Sequence, residues 1–308
     1  MVLLPSSNRK IYAECHERNE KVSLKGKNAV VVGGTGGIGL AIAARLASLG
    51  ANIVIVGRNE GVAASIAPQP GATKTFIRCD VSLQANIRLS AAEIQAVPSI
   101  ASSGIDCLVL VCGKTMNERV LTSEGRETFM AITFWARMLF TQILLPEVAK
   151  GDGVVMNVHG GGQDAKDMKP IDVNDFDLKN ISFSFLNAAR FSRIATDGMF
   201  QEFAARNAVS NVRFIHAFPG MVKTAGYNDC PLTIRSVIYI LGPLMWTASA
   251  SESADVMVDV MLKPRPTEGS TFEVWNNLGK EGAAAGWVRT DPNASKSVYD
   301  AAAKIANF

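Results

Sequence analysis

From Ala29 onward, short apolar runs rich in β-branched residues alternate with longer stretches in which apolar positions recur at helical spacing. That alternation is the pattern of parallel strands joined by crossover helices. It predicts strands over 29–32, 52–56, 75–78, 105–111, 153–158, 212–217 and 271–275, near-continuously apolar as strands covered on both faces are. Helices are predicted between them, over 38–49, 59–67, 82–96, 123–150, 183–206 and 251–262. The sum is an α/β chain, a single doubly wound Rossmann-type domain over 27–308 with about seven parallel strands flanked by helices. Residues 1–26 form an N-terminal extension with a weak helical pattern, and 276–308 trail the last strand and end in an Ala-rich helix.

Composition narrows the function classes. At 48% hydrophobic and 19% charged, the 308 residues supply a large core. Thirty-one basic against 28 acidic residues, with no basic cluster, exclude a nucleic-acid footprint. Cys15, Cys79, Cys107, Cys112 and Cys230 are odd in number and never form a C-x-x-C pair, so reduced thiols and no metal site are expected. The apolar start is too short for a signal core. The apolar segment 237–245 is broken by Gly242-Pro243 and falls well below the roughly 20 residues that span a bilayer. A cytoplasmic location without a transmembrane segment is the expectation.

The chemistry begins at Val31-Val-Gly-Gly-Thr-Gly-Gly-Ile-Gly39, which follows the first strand and opens the first helix. In that context the glycines serve a tight turn and a close backbone approach to a pyrophosphate, which the free N–H groups of the helix start then hold. Gly33, Gly37 and Gly39 fit those roles, with Thr35, Gly36 and Ile38 beside them; a ligand-free glycine turn is the alternative. After the second strand, Arg58-Asn59 stands where a fold preferring NAD would often place an acid. A guanidinium suits a 2′-phosphate, so NADP(H) is favoured over NAD, against the plainer reading of a solvated arginine.

With that turn, Asp80-Val81 after the third strand and Pro219-Gly220 after the sixth, the chain resembles the short-chain dehydrogenase/reductase superfamily over roughly residues 26–264. The resemblance implies Asp80 and Val81 beside the adenine, Cys112 and Gly113 at the nicotinamide ribose, and Pro219, Gly220, Val222 and Thr224 around the nicotinamide. It also implies a catalytic asparagine, serine, tyrosine and lysine. At those positions stand Thr133, Gly160, Ala189 and Arg193. A general acid aimed at the carbonyl typically contributes about 10²–10⁴-fold in rate, so this departure bears directly on function.

Three residues are candidates to replace the lost set. His159 ends the fifth strand and, as a histidine titrating near neutrality, is the leading acid or base; strand alternation could equally turn it away. Arg193 suits ribose hydroxyls and an oxyanion, or an i,i+4 ion pair with Asp197. Lys114 follows the fourth strand, entering the pocket or remaining solvated. Asp164, in the loop after Gly160, could pair with one of the cations, Arg137 is a weaker candidate one turn after Thr133, and His216 reads as a core histidine. The apolar segment about 225–250 is expected to cover a bulky apolar substrate, or else to be an interface or interior helix. Three functions follow: an NADP-dependent enzyme with a non-standard site acting on an apolar carbonyl, imine or enone, in the manner of natural-product biosynthesis; a non-redox isomerase or cyclase; and an inactive NADP-binding pseudoenzyme. The partner is a small apolar molecule, with a homo-oligomer left open.

Overall fold

The computed structural model describes residues 6–222, 224, 248–266 and 268–306. Seven parallel strands form one sheet: β1 (Asn28–Val32), β2 (Asn52–Gly57), β3 (Lys74–Arg78), β4 (Cys107–Leu110), β5 (Val154–Val158), β6 (Arg213–Ala217) and β7 (Thr271–Trp275), in the order β3-β2-β1-β4-β5-β6-β7. The order reverses between β1 and β4, and a crevice at the carboxyl ends of the strands is expected there.

Alternate residues of each strand feed two cores. Ala29 and Val31 face one layer, made by α1 (Ser6–Glu20), α2 (Gly37–Ser48) and a late helix, Ala250–Leu262. Val30 and Val32 face the other, where α4 (Gln84–Gln95) and α6 (Thr128–Lys150) pack. On that layer α7 (Phe185–Arg206) also packs, and the late helix becomes α8 in chain order. Two short helices lie between the larger elements, α3 (Glu60–Ala64) and α5 (Pro98–Ser103), and α9 (Gly286–Thr290) leads into α10 (Ala294–Ala306), which packs along α7.

The differences from the periodicity are local. Helix α6 starts at Thr128 rather than 123, because Thr122 to Gly125 form a turn with Gly125 at φ +77°, and the buried Glu127 side chain caps Phe129 and Met130 N–H. Its first turns then widen to a π-helix over Ala131–Trp135. Helices α5 and α9, six and five residues long, were too short for a period to register. The weak N-terminal pattern becomes α1, docked on α8 by Arg18 to Asp259 at 2.7 and 3.0 Å and by Asn19 to the Asp255 carbonyl at 2.8 Å. Helix Thr128–Lys150 is long and apolar enough to span a membrane, yet 72% of its most apolar window is buried inside the protein.

Candidate functional site

At the reversal point the end of β1 crosses the β4 loop so closely that a Cβ on Gly33, at φ +88°, would lie 2.8 Å from Cys112 N. A Cβ on Gly39 would lie 2.2 Å from the Gly33 carbonyl oxygen and 2.6 Å from Val111 Cγ1. These glycines are required by the fold. Gly36 and Gly113 are different: nothing lies within 4 Å of where their Cβ atoms would stand. Both line a crevice of about 640 Å³, so the space their missing side chains leave is ligand-sized rather than filled by protein. Gly36 is also the N-cap of α2 and offers no side-chain cap, leaving the helix's first N–H groups free for an anion.

The crevice brings together Gly33, Thr35, Gly36, Gly37, Ile38 and Gly39 with Arg58 from the end of β2. It continues past Asp80 and Val81 to Cys112, Gly113 and Lys114, with Thr224 opposite the glycine turn. Asp80 Oδ1 is partly committed, accepting from Ser82 N at 3.0 Å and Ser82 Oγ at 2.8 Å. A dinucleotide fits these groups: Arg58 and free N–H groups at one end, Lys114 at the other, and glycines at 36 and 113 where a side chain would stand in the cleft.

Several expected residues lie elsewhere. The Asn59 side chain caps α3 by accepting from Val62 N at 3.2 Å and lines a side cavity with Arg58. Among the described residues of the 219–224 turn, only Thr224 is one of the crevice walls. Pro219 gives its carbonyl to Ser253 Oγ at 3.0 Å, Gly220 is packed against Asn277, and Val222 is buried beside Ala248. The segment 225–247, which holds most of the expected substrate cover, is outside the described residues.

The three catalytic candidates separate. Lys114 is exposed and lines the crevice. Arg193 does not pair with Asp197; its Nε and Nη2 fork onto Asp164 at 2.6 and 3.0 Å, and its stem fills the space beside Gly160, where a Cβ would lie 2.1 Å from Arg193 Cδ. Asp197 is instead held in the interior by His216 Nδ1 at 2.6 Å and Ala285 N at 2.7 Å. His216 Nε2 accepts from Gly160 N at 3.3 Å, so His216 is a satisfied core histidine, as its place inside β6 suggested.

His159 corrects the expectation of a group titrating near neutrality. Burial, then the charges of Arg137, His216 and Arg193, push its imidazole well below the ordinary range, so it is neutral at physiological pH. Its Nδ1 is buried without a partner, and its ring stacks on His216 at 6.0 Å. An imidazolium donor is therefore disfavoured there. Thr133 is also spoken for, its hydroxyl donating to Phe129 O at 2.7 Å.

Arg137, the weaker candidate by sequence position, has the more unusual setting. It is 3% exposed and donates to the carbonyls of Leu110 at 2.9 Å, Val158 at 3.2 Å and Cys112, with Nε left unpartnered. No described acid pairs with it, and burial lowers its pKa. Spacing along α6 showed only that it shares a face with Thr133; that it ties β4 to β5 needed the packed sheet. Burial also raises the thiol of Cys112, which donates to Ile132 O at 3.3 Å, so a thiolate in the crevice is disfavoured.

Residues 27–164 match the sequence profile of the short chain dehydrogenases. Oxidoreductase AN1596 of Emericella nidulans is 33% identical over 174 residues, 55% of this chain and 49% of that protein. Oxidoreductase andH of Emericella variicolor is 29% identical over 230 residues, 71% of this chain and 62% of that protein. The matched stretch thus spans about half to three fifths of these relatives' length. An alcohol dehydrogenase from the archaeon Thermococcus sibiricus, solved in complex with 5-hydroxy-NADP, superposes over 80% of this chain and 95% of its own with a TM-score of 0.57 at 17% identity.

Proposed function

Because the chain belongs to the short-chain dehydrogenase/reductase superfamily, we propose that it is an NADP(H)-binding oxidoreductase that reduces a bulky apolar carbonyl or enone with a proton-donor set unlike the family's usual one. The observation that carries this reading is the continuous crevice from the Gly33–Gly39 turn to Lys114. In it the α2 N–H groups and Thr35 hold the pyrophosphate, Arg58 the 2′-phosphate, Asp80 and Val81 the adenine, and Cys112 and Gly113 the nicotinamide ribose. Two comparisons agree with it: the fungal relatives are oxidoreductases, and the archaeal neighbour carries an NADP analogue. When bound, the dinucleotide supplies a hydride.

The chain's own groups answer the charge that hydride addition creates. Lys114 stands at the Cys112 end of the crevice, and the buried Arg137 holds the Cys112 carbonyl from beneath. Positive charge there stabilises a developing oxyanion, and Lys114 then donates a proton to it and is recharged from solvent. The same charge opposes a preformed iminium, so a neutral carbonyl or enone heads the proposed substrate class. His159 contributes a neutral imidazole, and Arg193 spends its guanidinium fork on Asp164. The bulk and apolarity of the substrate are carried over from the sequence of 225–250, and a place in natural-product biosynthesis belongs to the same proposal.

Titration with NADPH and NADH, followed by a panel of apolar carbonyls and enones, tests the proposal. NADPH should bind more tightly than NADH, Arg58→Ala should abolish that preference, and at least one substrate should oxidise NADPH. Equal affinity for the two dinucleotides would remove the NADP assignment. The Arg193 stem in the space beside Gly160, together with the neutral His159, favours a second reading, a non-redox isomerase or cyclase or a cofactor-binding pseudoenzyme. A product of unchanged oxidation state formed without NADPH turnover would select the isomerase.

A further inference from the structure

Beyond β2 the crevice opens into a side cavity of about 670 Å³, and Thr35 and Arg58 belong to the walls of both. The last residue of β3, Arg78, reaches this side cavity from the neighbouring strand, where it lies in register with Gly57. Its Nη1 donates to the Arg58 carbonyl at 3.1 Å, and its Nη2 stands 3.6 Å from Glu60 Oε2. Glu60 lines the same cavity. The charged groups on its described walls are therefore two guanidiniums and one carboxylate, and that carboxylate repels any phosphate that approaches Arg58.

We propose that Arg78 is a second determinant of 2′-phosphate recognition, countering Glu60 and holding the backbone of Arg58 so that the cavity presents a net positive face. The inference rests on the NADP(H) reading above. Arg78 acts through Glu60 and Arg58, as a positioning residue whose effect is confined to the phosphorylated end of the ligand. Arg78 and Glu60 are 69% and 67% exposed at the side chain, so their influence is modest and sensitive to salt.

Calorimetry on the full chain with 2′,5′-ADP and 5′-ADP tests this directly. At low ionic strength R78Q should weaken 2′,5′-ADP about two- to fivefold, leave 5′-ADP unchanged, and lose most of its effect at high salt. E60Q should strengthen 2′,5′-ADP by about fivefold, and the R78Q/E60Q double variant should return close to the wild type. Unchanged 5′-ADP affinity also serves as the control that the variants fold. If R78Q leaves 2′,5′-ADP affinity intact while Arg58→Ala lowers it, the role of Arg78 is overturned and the NADP(H) reading stands. If the wild type does not distinguish the two nucleotides, both fall.

Discussion

Replacing Gly36 and Gly39 by alanine separates the space kept for a ligand from the space the fold needs. At Gly36 the backbone is extended, with φ −173°, and no atom lies within 4 Å of the added Cβ, so the folded state gains no strain. Alanine also narrows the unfolded ensemble, which stabilises by about 0.4–1 kcal/mol where the native conformation is compatible. The melting temperature of Gly36→Ala should therefore equal the wild type's or exceed it by about 1–2 °C. The same methyl group projects into the crevice. If it meets a pyrophosphate, an overpacking cost of about 1–3 kcal/mol weakens NADPH about 5- to 150-fold. At Gly39 the Cβ would lie 2.2 Å from a backbone oxygen, so Gly39→Ala should lose both binding and about 1–3 kcal/mol of stability, or about 2–6 °C. Differential scanning fluorimetry and calorimetric NADPH titration on the two variants decide the matter. Undiminished NADPH binding by a normally folded Gly36→Ala would refute the placement of the ligand over the α2 N-terminus.

Three further outcomes are expected. Arg137→Met leaves the Leu110, Cys112 and Val158 carbonyls without their guanidinium donors; the desolvation relieved by removing the charge offsets only part of this, so a loss of about 2–4 kcal/mol is expected, and a rise in the urea midpoint would contradict it. Asp197→Asn weakens the contacts to His216 and Ala285 N and should cost about 1–3 kcal/mol in the same assay, with Asp164→Asn, on the more exposed Arg193 pair, costing less. His159 has a folded pKa well below its unfolded value of about 6.5. Below that pH the unfolded chain binds the extra proton, so the stability His159 contributes is complete above about pH 6.5 and falls by up to about 1.4 kcal/mol per pH unit on acidification. Urea midpoints of wild type and His159→Gln between about pH 7 and 5 should show a shallower decline for the variant; parallel curves would remove the assignment.

The strand pattern and the glycine turn were legible because both are local. A buried parallel strand must be apolar at nearly every position, as four of the five buried residues of β1 are, and a glycine at positive φ is demanded by a turn a few residues long. Arg58 followed for the same reason, from its place at the end of β2. The turn at 122–125 was within reach of the sequence through Gly125, yet its neighbours read as helix until Glu127 capped the true start.

Side-chain pairing was not local. Asp197 lies one helical turn from Arg193, which made their ion pair the natural sequence alternative, but β6 brings His216 and the start of α9 brings Ala285 N to Asp197, while the loop after Gly160 brings Asp164 to Arg193. A carboxylate that is buried must take the donors that are buried with it, whereas an exposed i,i+4 pair is worth only about 0.3–0.5 kcal/mol. The charge state of His159 was decided in the same way, by burial beside Arg137, which helix spacing could assign to a face but not to a depth. The sequence alone therefore determined the α/β pattern and the groups available to hold a dinucleotide. Which polar groups face that crevice, and which are consumed in holding the sheet together, was decided only by packing, because desolvation and distance have no value until distant segments meet.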